Sequence, residues 1–153
     1  MRQVERIFDQ YDRAMNGDAW HGDPVWKILD GISAEQAGTR AHPGSHTIWE
    51  LVSHMAFWET EVNRRLNNLP ARSLEELNFP AMPEPTAENW NSTLGEFRQS
   101  NLEFRQTLSQ LDPSRLDQPT LGSDKSVYIE VHGVIQHSLY HAGQIALLRK
   151  ILR

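Results

Sequence analysis

The sequence predicts an all-α domain, a four-helix bundle with a long crossover between its second and third helices. Three observations predict it. Four stretches repeat apolar residues at spacings of three and four, strand-like alternation never runs beyond a few residues, and a proline-rich connector separates the middle two stretches. The 153 residues suit one domain, 1–153, with a core large enough to be stable alone.

The first helix is expected from about Val4 to Met15, where Val4, Ile7, Phe8, Tyr11 and Met15 share a face. Asn16-Gly17-Asp18 has the turn chemistry to stop it. A loop through Trp20, His21 and Pro24 then leads to a short apolar turn, Val25 to Leu29, ended by Gly31. Ser33-Ala34-Glu35-Gln36 has the form of a capping box opening one further turn.

After Pro43-Gly44, Ser45 is the expected N-cap of the second main helix, about His46 to Asn67, with Ile48, Leu51, Met55, Trp58, Val62 and Leu66 facing inward. His54 falls at the margin of that stripe. From Asn68 to Pro85 the chain carries Pro70, Pro80, Pro83 and Pro85, with at most a helical turn at Ser73 to Leu77. Some 18 extended residues can cover roughly 60 Å, while a helix of 22 residues is about 33 Å long. Such a connector can run the length of a bundle, so helices two and three need not be antiparallel neighbours.

The third helix, about Thr86 to Leu111, has the most regular seam: Trp90, Leu94, Phe97, Asn101, Phe104, Leu108 and Leu111, with Asn101 its polar exception. Asp112-Pro113 ends it. Ser126 caps the last helix, about Val127 to Leu152, whose inward positions are Val127, Val131, Val134, His137, His141, Ile145, Leu148 and Leu152. Gly143 within it costs about 1 kcal/mol against Ala, which suggests close approach of another helix.

His137 and His141 are the most informative residues. One helical turn apart and facing inward, they can project onto one ion, and burying two imidazoles is costly unless they are bonded or coordinated. With His54 from the second helix they would leave a tetrahedral metal one open position, an arrangement that suits catalysis better than structure. Zinc is favoured, with nickel or ferrous iron as alternatives; three neutral ligands keep the full dication charge, which lowers the pKa of a bound water or thiol. The competing interpretation is a set of core histidines bonded to backbone, Asn101 or Glu50. Gln144, one turn beyond His141, can orient it or touch substrate. Glu50 and Glu61, one turn before and two turns after His54, can orient an imidazole or handle protons. His132 lies about 140° around the helix from His137 and cannot join the site, and His21, His42 and His46 stand in loops or at a helix mouth.

Composition narrows the alternatives. The chain has no Cys, so a metal must be held by His and carboxylate alone. A net charge of −5 with scattered Arg gives no electrostatic basis for binding nucleic acid or an anionic membrane. No apolar run is long enough to span a bilayer and no basic-then-apolar leader is present, so a cytoplasmic location is expected. Serine nucleophile elbows, His-Glu-x-x-His, phosphate loops and dinucleotide fingerprints are all missing.

The stretch from Thr47 to Glu59, TIWELVSHMAFWE, joined to HGVIQHSLYHAGQI from His132 to Ile145, resembles the DinB-like (DinB/YfiT-like) metalloenzyme family. The resemblance covers most of the chain, and the Trp20-His21-Gly22 loop is also similar. It implies a four-helix bundle with a long crossover, frequent homodimers, and a divalent metal held at one end by His54, His137 and His141. The better-understood relatives it implies are bacillithiol and mycothiol S-transferases and a mycothiol-dependent maleylpyruvate isomerase, which makes a low-molecular-weight thiol a candidate cofactor. The expected function is a metal-dependent transferase of the thiol S-transferase type, or a hydrolase, acting on a small molecule. The alternative is a non-catalytic, stress-associated metal-binding dimer, which predicts a site closed by a fourth protein ligand such as Glu61 or His21.

Overall fold

The computed structural model describes residues 3–72 and 74–153; no strand occurs among them beyond an isolated bridge between Pro119 and Ser126. Helix α1 (Gln3–Asn16) buries Val4, Ile7, Tyr11 and Met15. It stops at the expected turn, where Asp18 takes the left-handed conformation at φ 58° and its carboxylate accepts from Arg13. Two short helices follow, α2 (Val25–Leu29) and α3 (Ala34–Gly38). Ser33 caps α3 by accepting from the Gln36 backbone N–H, but the reciprocal half of the expected box is missing. The Gln36 side chain instead donates to the carbonyls of Arg149 and Leu152 at the far end of the chain.

Helix α4 (Ile48–Leu66) begins two residues later than the expected His46. Thr47, not Ser45, is the N-cap, and it forms a full capping box with Glu50. Ser45 instead donates to His42 O at 2.9 Å, closing the Pro43-Gly44 turn. The connector contains one short helix, α5 (Leu74–Leu77); the expected start of that turn, Ser73, lies outside the described residues.

Helix α6 (Ala87–Gln110), capped by Thr86, buries every seam residue except the partly exposed Leu94. A 3-10 turn (Pro113–Arg115) leads on to α7 (Val127–Ile151), capped by Ser126 as expected. None of the helices is long and apolar enough to cross a membrane among the described residues.

Side-chain pairings give the directions. Trp49 near the start of α4 bonds Thr93 near the start of α6, and Asn67 just past the end of α4 bonds Thr107 near the end of α6. The two helices are therefore parallel neighbours, and a parallel pair requires the connector to return the full helix length. Helix α7 runs antiparallel to α4, with Arg65 near the end of α4 pairing with Glu130 in the first turn of α7. The four long helices α1, α4, α6 and α7 form the bundle.

A polar cluster sits in the middle of this core. Glu59 of α4 is buried and accepts from Tyr11 of α1 and from Ser100 and Asn101 of α6. Asn101 in turn accepts from the Trp26 indole of α2 at 2.7 Å. Asn101 therefore serves this network and does not bond the histidines. Burial pushes the Glu59 carboxyl up to about 7, against the downward pull of Ser100, Tyr11 and Asn101.

The expectation for Gly143 is overturned. It is exposed, and a Cβ built there meets nothing within 4 Å, so no helix approaches it in the single chain.

Candidate metal centre

The crossing of α4 and α7 brings three imidazoles together. His54 and His141 are buried and His137 is half-buried, and one ring nitrogen from each lies within 4.8 Å of the other two. His137 Nε2 stands 2.9 Å from His54 Nε2 and 3.1 Å from His141 Nε2. Tetrahedral ligands at about 2.1 Å from an ion stand roughly 3.4 Å apart, so the spacing approaches that of a ligand set.

The outer bonds decide which nitrogens carry protons. His54 Nδ1 lies 2.9 Å from the Asn78 carbonyl, which can only accept, so the proton is on Nδ1 and Nε2 holds a lone pair. His141 Nδ1 donates to Gln144 Oε1 at 2.7 Å, with the same result. Two inward lone pairs thus face His137 Nε2, which has at most one proton to share between them. Three converging nitrogens with one proton or none form an electron-rich point that a cation satisfies. The residues present therefore fit a divalent metal.

The electrostatics agree. Burial lowers the pKa of His54, with the charges of His141 and His46 adding to it, while the Asn78 bond opposes. Burial lowers His141 as well, against the Gln144 bond. His137 is held down at about 4 by burial and by its two neighbours. All three are neutral at pH 7, the form a metal requires.

The connector completes the surroundings. Phe79 stacks between His54 and His46, with ring centroids 4.1 Å and 4.2 Å away. Asn78 is itself anchored by the Trp58 indole, which donates to its Oδ1 at 2.8 Å. Tyr140 points largely outward but keeps an edge contact with His141.

Of Gln144, Glu50 and Glu61, only Gln144 touches the trio. Glu50 serves the Thr47 cap, with Arg40 and His46 as its other partners. Glu61 is buried, and both its oxygens are taken by Arg72, from the backbone N–H and from Nε, at 3.1 Å each. Neither reaches the trio, since the α4 cap with Arg40 engages one and Arg72 of the connector the other. His21 is exposed in its loop, and His42 and His132 bond or stack locally with Gly44 and Tyr128. Among the described residues no carboxylate or fourth histidine joins the cluster.

Residues that the sequence reading missed are Asn78 and Phe79, since neither lies on a periodic stripe. The model of the DinB superfamily matches residues 19–145 of the chain. No curated protein matches it.

Proposed function

The chain belongs to the DinB superfamily, and from that premise we propose that it is a metal-dependent enzyme acting on a small molecule through a thiol or water nucleophile. The observation that carries the proposal is the convergence of three neutral imidazoles with no fourth protein ligand among the described residues. His54, His137 and His141 would hold the ion; zinc, nickel and ferrous iron all accept imidazole, and zinc is the one we favour. A dication with three neutral ligands lowers the pKa of a thiol or water at its remaining position. Gln144 and the Asn78 carbonyl keep the Nε2 lone pairs of His141 and His54 turned inward. Phe79 stacks on His54 and Trp58 meets His137 edge-on, so the trio has an aromatic flank.

Thiol S-transfer is the reaction type we favour, with hydrolysis as the water-using counterpart. The non-catalytic alternative needs a closed site, and the engagement of Glu61 by Arg72 counts against it. We further propose that the protein works in the cytoplasm as a homodimer. The outward apolar residues Tyr140, Leu147 and Ile151 of α7 support a partner on that face.

Elemental analysis of protein purified without chelators tests the core of this proposal. One divalent ion per chain in the wild type, lost in His137→Ala with the fold retained, is the expected result. Wild-type protein without stoichiometric metal would overturn it. Assays pairing cellular thiols with electrophilic acceptors, read on the metal-loaded protein, then separate transfer from hydrolysis.

A further inference from the structure

A cavity of about 590 Å³ opens beside the trio, with His137 as part of its wall. Trp58, Val62, Ile129 and Val134 supply apolar lining. Gly133 also lines it, one helical turn before His137 on the same face of α7. A Cβ built on Gly133 meets nothing within 4 Å, so packing does not demand glycine there. Glycine is the poorest helix former after proline, and the residue sits inside a long helix. What its missing side chain does is leave room next to a histidine of the trio.

The charges of the cavity lining nearly cancel. Arg65 and Lys125 are set against Asp124 and Glu130, and Arg65 donates to Glu130 at 3.0 Å through Nη1. The Arg65 Nε is buried without a hydrogen-bond partner, and the guanidinium carbon lies 5.8 Å from the Trp58 ring centroid. The three histidines add no charge, so a dication held by them leaves the region net positive.

We propose that this cavity is the substrate chamber of the metal centre, that Gly133 keeps it open, and that it takes a small carboxylate with an apolar body. The inference rests on the metal reading above. The carboxylate lies toward Arg65 and the ion-bearing wall, and the apolar body against Ile129, Val134 and Trp58. Gly133 acts as a specificity residue: a methyl there meets nothing within 4 Å, and any larger side chain takes volume from the chamber.

The test uses zinc-loaded full-length protein, whose zinc content is measured before any probe is added. Acetate, butyrate and phenylacetate are titrated, with 2-phenylethanol as the neutral counterpart of the last. Binding is read by calorimetry, and amide shift changes are mapped by NMR. Affinity is expected to rise several-fold with each step in apolar size, and phenylacetate to bind at least tenfold more tightly than the alcohol. The shift changes should centre on Ile129, Gly133 and Val134. Gly133→Leu should weaken phenylacetate at least tenfold at unchanged zinc content and helicity. Equal binding by Gly133→Leu, shift changes elsewhere in the wild type, or zinc-loaded wild type that binds none of the series would each overturn the chamber while the metal reading stands. Equal affinity for alcohol and carboxylate would overturn the anionic assignment. Absence of zinc at the first step would overturn the metal reading itself, and this inference with it. The NMR map uses wild-type protein, so it decides the matter even where the Leu variant fails to fold.

Discussion

Replacing Glu59 by Gln should flatten the pH dependence of stability in the metal-free protein. The carboxyl is buried among Tyr11, Ser100 and Asn101, and burial moves it from an ordinary 4.5 to about 7. A folded-state value above the unfolded one means that the native protein binds more protons between these limits. The stabilisation is therefore full below about 4.5 and is lost as pH rises through about 7. The displacement corresponds to about 3 kcal/mol, of which roughly 2 to 3 kcal/mol falls between pH 5 and 8. The histidines work in the opposite direction, since their lowered values favour the native state at higher pH. They are common to both proteins and drop out of the comparison. Urea unfolding of chelator-treated wild type and Glu59→Gln at pH 5, 6, 7 and 8 measures the difference directly. The variant should gain on the wild type by about 2 to 3 kcal/mol across that range. Two curves that run parallel would refute the assignment of a proton-holding carboxyl to this site.

Other perturbations bear on the site and the scaffold. Gln144→Leu should weaken metal binding about 10- to 100-fold by freeing the His141 ring, measured by competition with a chromophoric chelator. Metal affinity should stay level above about pH 6.5 and fall progressively below it, as protons compete for imidazoles whose values lie beneath 6.5; occupancy unchanged from pH 7 to pH 4 would contradict His-only ligation. Thr47→Ala should cost about 1 kcal/mol of stability through loss of the α4 cap, whereas Ser45→Ala should cost less, both read by denaturant midpoint. Gly143→Ala should raise stability by about 0.5 to 1 kcal/mol, because the new methyl meets open space and the helix gains propensity.

Much of the fold was legible because the helices announce themselves locally. Thr86 and Ser126 stand directly before periodic stretches, and the α6 seam buries as its spacing indicates. The histidine pair of α7 was legible for the same reason, being one turn apart on an inward stripe. The start of α4 departs from the expectation although its signal is present in the sequence. Thr47-Ile48-Trp49-Glu50 has box spacing, and that box, rather than the Pro43-Gly44 turn, sets the helix start and occupies Glu50. The Glu59 cluster also left a trace, since Glu59 stands four residues after Met55 and three before Val62, on the buried face. Glu61 is different in kind. Its partner Arg72 arrives from the connector, and no local rule specifies where an irregular segment will lie.

The connector does more than span a distance. The proton of His54 is received by the main-chain oxygen of Asn78, and every amino acid carries that oxygen. Exchanging the side chain at 78 would unhook Trp58 yet leave the acceptor in place. What sets the tautomer of His54 is thus the path of the segment after α5, a matter of its length and curvature. Shortening the loop by a residue or two would disturb the centre more than most single exchanges within it, and a redesign of the site would have to begin with the strap that overlies it.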